Sequence, residues 1–440
     1  MQEQIKAKAL ATGTRRYSIG LIPRLYYHYR RIVKWLAIFF AITGPGIIVM
    51  VADNDAGGIT TYAVTGARFG YGLIWFLIIL GPVAYYIQEM TVRLGAVTKR
   101  GHAEAIFESF GIFWGWFSLC DLVLVDWLTL VTEFIGMTAA LSIFHIPPFI
   151  TVIIVSIVMS IMVLQGRYWT WEKIALLFCG VNLIYIPCAF IVHPSVSGVM
   201  RGAFIPGFPG GLNSDIFFFL MANIGTTIAP WMIFFQQSAV VDKGMDEKDI
   251  PFGKVDTFVG AMFTVLVAAF VIIVTGTVLK GVPIESADQA SKALIGVHKY
   301  LGTFLAIGLF DAGFLGAICI SLATSWAFGE IFGWAHSLNN KIKEAPWFYG
   351  SYFIAVITAG IVVLIPGAPL VSITLFVQVI AVTLLPAVLV FLTLLLNDGE
   401  LMGEYKNTRF QNTISVMIVV TIITLSTLYA VSVLFPNIFK

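Results

Sequence analysis

The chain has 440 residues, of which 59% are hydrophobic and only 11% charged, with a formal net charge of +2. That balance excludes a water-soluble enzyme domain and a basic nucleic-acid binder, and describes a polypeptide dissolved in lipid.

Apolar stretches long enough to cross about 30 Å of hydrocarbon at about 1.5 Å per residue recur eleven times. They run over residues 35–66, 72–95, 112–143, 148–165, 172–192, 214–241, 255–280, 301–335, 347–366, 369–396 and 411–435. Ahead of them, residues 1–34 form a basic segment; within it SIGLIPRLYYHYRRIVK, residues 18–34, fits either a helix lying along the inner surface or a disordered tail. No cleavable signal peptide is expected, because the basic region is long and the first apolar run continues as a full span. Of the 26 Lys and Arg residues, only Arg68, Arg201, Lys280, Lys292, Lys299 and Lys440 fall on the side opposite that segment. Basic residues favour cytoplasmic loops, so the N-terminus is expected inside, the C-terminus outside, in a cell membrane.

Span 1 is 32 residues long, well beyond the hydrocarbon thickness, and carries Gly44-Pro45-Gly46 and then VADNDAGG, residues 51–58. Two carboxylates and a glycine pair there predict a break around residues 53–58. Span 3 carries Asp121, Asp126 and Glu133; the last two lie two turns apart and are expected on one face, lining a vestibule. Span 6 repeats the sign of span 1 with NIGTTIAPW, residues 223–231. Pro230 has no backbone N–H, which frees the carbonyl of Thr226 four residues earlier. Unwound backbone at membrane depth is tolerated only where protein buries it or it lines a watery cavity. Two broken helices in corresponding positions point to a transporter with a midplane site between inverted repeats. Asp53, Glu89, Asp311 and Glu330 complete the acids at bilayer depth, where a carboxylate is a functional candidate. The four cysteines, Cys120, Cys179, Cys188 and Cys319, have no metal-ligand spacing and read as small buried hydrophobes. No phosphate loop, catalytic triad or HExxH pattern is present, so no enzymatic activity and no cofactor are expected.

Asp55-Ala56-Gly57-Gly58, followed by Ile59-Thr60-Thr61, resembles the Asp-Pro-Gly-Asn motif in the first helix of the NRAMP metal-ion transporters, with Gly44-Pro45-Gly46 at that family's Gly-Pro-Gly. Gly225-Thr226-Thr227-Ile228-Ala229-Pro230-Trp231 is similar to the family's Gly-Ala-Thr-Val-Met-Pro-His in helix 6, and Glu133-Phe134-Ile135-Gly136 and Gln378 extend the likeness to helices 3 and 10. The resemblance implies an all-α membrane protein with the LeuT-like fold: two inverted five-helix repeats, with helices 1 and 6 broken, plus an eleventh helix. On this chain that places helices 1–5 in residues 35–205, helices 6–10 in 206–397, and a loop with helix 11 in 398–440.

The departures point to the NRAMP-related magnesium transporters, the NRMT subgroup. The metal-binding Asp is kept as Asp55, while Gly58 replaces the motif Asn and Ala229 the metal-binding Met. Loss of a thioether leaves oxygen ligands, and both replacements are smaller, which suits a partly hydrated Mg²⁺. The resemblance thus implies a metal site of Asp55, the Ala52 and Thr226 carbonyls and Gln378, with space at Gly58 and Ala229; Asn54, Thr227 and Glu133 are further candidates. The family's helix 6 histidines fall on Trp231 and Gln236, its helix 3 Asp on Leu130, and its helix 9 arginines have no counterpart in residues 347–352. The expectation is alternating-access transport of Mg²⁺ and Mn²⁺ by a monomer in the lipid bilayer, without proton coupling, although Asp121 and Asp126 offer other proton carriers. The competing readings are a proton-coupled importer of Mn²⁺ or Fe²⁺, an organic-substrate symporter on the same fold, and a scaffold or receptor that transports nothing.

Overall fold

A computed structural model describes residues 44–284, 287–368 and 370–435. The basic segment 1–34, the start of span 1 and Lys440 lie outside the described residues.

The described chain is helical. α1 (Pro45–Ala52) and α2 (Ala56–Phe69) are the two halves of span 1, followed by α3 (Ile74–Thr98), a short amphipathic α4 (His102–Phe110) and the long α5 (Ile112–Ser142). Then come α6 (Pro148–Val163), α7 (Tyr168–Val181) and α8 (Tyr185–Ile191), the last two joined by a single 3-10 turn at Asn182–Ile184, and α9 (Val196–Phe204). Span 6 is α10 (Ser214–Thr227) and α11 (Pro230–Lys243), leading to α12 (Ile250–Val278), α13 (Ala287–Val297), α14 (Lys299–Phe332), α15 (Pro346–Val363), α16 (Leu370–Asn397), α17 (Gly399–Met402) and α18 (Arg409–Leu434).

Each predicted span is met by a helix or a broken pair, and the two expected breaks fall between α1 and α2 and between α10 and α11. The broken pairs are the most enclosed parts of the bundle, since α1, α2, α10 and α11 are buried almost throughout. α12 packs along α1, α2 and α3, while α14 runs against α5, α11 and α15. The outer faces carry exposed Ile, Leu, Phe and Trp on α5, α6, α15 and α18, as expected of surface that meets acyl chains. One reading is corrected there: Cys179, Cys188 and Cys319 are buried, but Cys120 is exposed on α5 beside exposed Trp116 and Leu124, facing outward.

Glycines permit the closest helix contacts. A β-carbon on Gly136 of α5 would stand 2.2 Å from the Ala56 side chain, and one on Gly316 of α14 would stand 2.9 Å from the Asp55 Cβ. Small residues let helix backbones approach where lipid offers no hydrophobic driving force between them.

Candidate functional site

α1 ends where its backbone hydrogen bonds tighten: Asp53 N–H donates to the Val49 carbonyl at 3.1 Å, but Asn54 N–H donates to Val51, also at 3.1 Å. α2 starts afresh with Asp55 as its cap, φ −69° and ψ 178°, its Oδ1 accepting from Gly58 N–H at 2.6 Å. An aspartate is a preferred N-cap because its oxygen satisfies an amide with no helical partner. Glu133, reaching across from α5, accepts the Ala56 N–H on Oε2 at 2.9 Å. That amide is the one a continuous helix would have directed to the Ala52 carbonyl. Two carboxylates therefore stand on the N-terminus of α2, where the helix dipole favours negative charge.

The second break uses no charged group. α10 ends with Ile228 N–H on the Ile224 carbonyl at 2.8 Å, and α11 begins at Pro230 with Ala229 extended at φ −91° and ψ 147°. Proline at this position leaves the Thr226 carbonyl without its helical donor. Ala229 N–H meets the Met232 thioether at 3.4 Å, so the sulfur nearby is engaged by backbone.

Gln378 of α16 joins the two breaks. A β-carbon on Gly57 would stand 2.3 Å from its Nε2, and one on Gly225 would stand 2.0 Å from its carbonyl oxygen. Asp55, Ala52, Thr226, Ala229 and Gln378 are all buried, and Gln378, Thr226 and Asp55 meet at Gly57-Gly58. Gly58 behaves differently from the expectation that it supplies empty volume. A β-carbon there would meet Thr226 Oγ1 at 2.5 Å and Asp55 Oδ1 at 3.2 Å, so its missing side chain lets the two breaks touch.

The polar atoms around this point are unusually short of partners. Asp53 Oδ2, Asn54 Oδ1, Thr226 Oγ1 and Gln378 Nε2 are buried without a hydrogen bond. Asn54 is fixed by its Nδ2 donating to the Thr264 carbonyl at 3.2 Å, and Thr227 by donating to the Asn223 carbonyl at 2.7 Å and pairing with Tyr62 Oη at 3.0 Å. Buried groups of this kind are normally satisfied by water or an ion.

The other acids disperse. Asp126 and Glu133 do not share a vestibule: Asp126 accepts from Thr324 at 2.7 Å and lines an apolar cavity of about 610 Å³ with Trp127, Leu130 and Trp347, whereas Glu133 turns to α2. Glu89 pairs with Arg93 at 3.1 Å and Lys254 at 2.9 Å. Glu330 accepts from Ser238 Oγ at 2.6 Å and from Ala103 N–H at 3.0 Å, capping α4. Asp121 keeps a buried oxygen without a partner. Trp231 is buried with its Nε1 unpaired, and Gln236 donates to Thr257 at 2.8 Å.

Charged contacts brace the outer ends of the broken helices. In the last turn of α2, Arg68 pairs with Asp215 of α10, each half exposed, beside a cavity of about 330 Å³. At the far end Lys243 pairs with Glu172 at 2.7 Å in the interior, and Asp256 of α12 accepts the N–H groups of Gly44, Gly46 and Ile47 at 3.0, 2.7 and 3.3 Å. His102, in the α4 segment between spans, is held by Gln237 at 2.8 Å, and its burial lowers its pKa to about 4, so it is neutral near pH 7.

Asp256, Gly313 and Gly316 escaped the sequence reading, as did Thr132, whose Oγ1 donates to Glu133 Oε1 at 3.2 Å. Each glycine stands four residues from an alanine on α14, Gly316 from Ala312 and Gly313 from Ala317, a small-residue spacing that marks a helix contact. Asp256, by contrast, sits among the acids and bases at the start of span 7, where nothing separates it from an interfacial charge.

The family model described as natural resistance-associated macrophage protein-like matches residues 46–432. A divalent metal cation transporter, MntH, of Caldanaerobacter subterraneus subsp. tengcongensis is 26% identical over 398 residues, 86% of this chain and 90% of that protein. The crystal structure of a manganese transporter of Eremococcus coleocola, complexed with an aromatic bis-isothiourea compound, superposes with a TM-score of 0.73 at 21% identity, covering 90% of this chain and 87% of that one. MHP1, a nucleobase-cation-symport-1 family transporter, gives a TM-score of 0.57 at 12% identity over 88% and 91%. The all-α, LeuT-like membrane fold is therefore the one expected, and since the family model spans nearly the whole described length, the chain belongs to the Nramp family.

Proposed function

We propose that this protein carries divalent metal cations across a membrane by alternating access, that Mg²⁺ is the principal substrate with Mn²⁺ also carried, and that no proton is obligatorily moved with them. Membership of a family whose relative is named a divalent metal cation transporter supports the substrate class. The observation that carries the reading is the first break itself. Asp55 and Glu133 face it with up to two negative charges, and the Ala52 and Thr226 carbonyls lack their helical donors. Hard oxygen ligands and a charge that matches +2 suit Mg²⁺ and Mn²⁺. The unpartnered Asp53, Asn54 and Thr226 oxygens suit waters kept on the ion, as Mg²⁺ demands. Among the described residues no histidine lies within the broken helices, which supports transport without a titrating imidazole beside the ion.

Proteoliposomes loaded with a metal-sensing and a pH-sensing dye test this directly. Mg²⁺ and Mn²⁺ are expected to enter without acidifying the lumen, and Asp55→Ala to abolish entry. Flux retained in that variant overturns the site; acidification that tracks metal entry overturns the uncoupled mechanism.

A further inference from the structure

Asp311 is an acid at bilayer depth that the site around Asp55 does not use. It lies twelve residues into α14, about 18 Å along the helix, and five residues before Gly316, which packs on Asp55. Five residues rotate the side chain by about 140°, so Asp311 faces away from that site. It faces instead the 3-10 turn joining α7 to α8, where Asn182 Nδ2 donates to Asp311 Oδ2 at 2.8 Å.

Asn182 is 0% and Asp311 3% exposed, and the remaining polar atom of each, the carboxamide oxygen Asn182 Oδ1 and the carboxylate oxygen Asp311 Oδ1, is buried without a partner. No ion pair reaches Asp311 among the described residues. The titratable groups that face it are the Cys179 thiol of α7 and the Tyr185 hydroxyl of α8; α5 directs Asp126 to Thr324 and Glu133 to α2 instead. Tyr185 lies against α14 one turn away, where a β-carbon on Gly308 would come within 2.5 Å of its Oη. An ionised carboxylate with one neutral hydrogen bond at this depth is strongly disfavoured, and two acceptor oxygens buried without donors in one contact are costly. A single proton on Asp311 Oδ1 removes both difficulties.

We propose that Asp311 is a proton-binding site separate from the metal site, occupied as a carboxylic acid in a two-hydrogen-bond ring with the Asn182 carboxamide. In the ring Asn182 Nδ2–H donates to Asp311 Oδ2, and Asp311 Oδ1–H donates to Asn182 Oδ1. The proton comes from and returns to water, with no other bond made or broken. Its loss sets two acceptors against each other and loosens the contact between α14 and the turn at Asn182–Ile184. A 3-10 turn within a longer helix is a place where such loosening is readily absorbed.

The purified full-length protein and its Asp311→Asn variant test the proposal, because an amide at 311 makes the same two hydrogen bonds without a titrating proton. Infrared difference spectra between neutral and alkaline pH are expected to show loss of a carboxylic-acid carbonyl component in the wild type that is missing from the D311N spectrum, whatever the other buried acids contribute to both. Thermal unfolding of the wild type should fall at alkaline pH, that of D311N should not, and Mg²⁺ flux at neutral pH should match in both. A wild-type minus D311N spectrum with no carboxylic-acid component, or an equal alkaline loss of stability in both proteins, overturns the proposal. So does a melting temperature that Na⁺ or K⁺ raises over choline in the wild type alone, which makes the ligand a monovalent cation. If D311N fails to fold, Asn182→Leu is read instead: the carbonyl band must shift as its partner is lost, and an unmoved band rejects the ring.

Discussion

The two breaks beside the site are built by different chemistry. The first is held open by acids: Asp55 and Glu133 take the Gly58 and Ala56 amides that a continuous helix would have used internally. The second is held open by subtraction, because Pro230 has no amide to offer and Ala229 no side chain to cap with. One break contributes charge and the other a neutral carbonyl wall. In the proposed site, charge confined to one side would hold the cation while the other side presents only neutral oxygen.

Substitutions at the two breaks should therefore differ in kind as well as degree. Asp55→Ala removes a ligand and a cap together; truncating one partner of a buried charge interaction costs about 2–5 kcal/mol, so metal affinity measured by calorimetry should fall on the order of 30-fold or more. Glu133→Gln keeps an oxygen for the Ala56 amide and should leave the melting temperature near wild type while weakening metal binding. Glu133→Ala should lower both, and equal melting of the two variants would show that the cap is immaterial. Pro230→Ala restores a donor beneath Thr226. A net hydrogen bond of about 1 kcal/mol then competes with the ion, and flux should drop about fivefold without loss of thermal stability. A variant as fast as wild type would remove the Thr226 carbonyl from the site.

The pair Gly58→Asn and Ala229→Met sharpens the comparison through selectivity. Met at 229 alone should raise Cd²⁺ binding over Mg²⁺, whereas Asn at 58 must first displace the Thr226 hydroxyl and should lower flux of every ion. The smallest effect on flux is expected at His102, which ties α4 to α11 through Gln237. Its folded pKa of about 4 lies below the ordinary value of about 6.5, so the unfolded chain binds the extra proton between these limits. Stability should fall by about 3 kcal/mol as pH drops from 6.5 to 4 and be unaffected above, and His102→Gln should flatten that part of a thermal-unfolding profile.

Much of this was legible before any coordinates. Hydrophobic run length gave the spans, and Gly44-Pro45-Gly46, Gly57-Gly58 and Pro230 marked the breaks because their backbone effects are local and carried by residue type. What the sequence could not disclose were contacts made across the bundle. Glu133 read as one more candidate around the metal, with nothing in the sequence to show that it also takes an amide 77 residues away. Gly58 read as spare volume because size can be judged from a letter, whereas the Thr226 hydroxyl that fills the volume comes from another helix. Asp126 and Glu133 share a face by periodicity, but neighbouring helices give that face two different surroundings.

Asp256 has a mechanical consequence. By gripping three amides at the start of α1 it fastens that half-helix to α12, so α1 is no free lever: it swings away only if α12 travels with it or all three bonds break together. Hydrogen bonds to an ionised acceptor are worth about 1.5–3 kcal/mol each, so detaching α1 from α12 would be slowed on the order of a hundredfold or more.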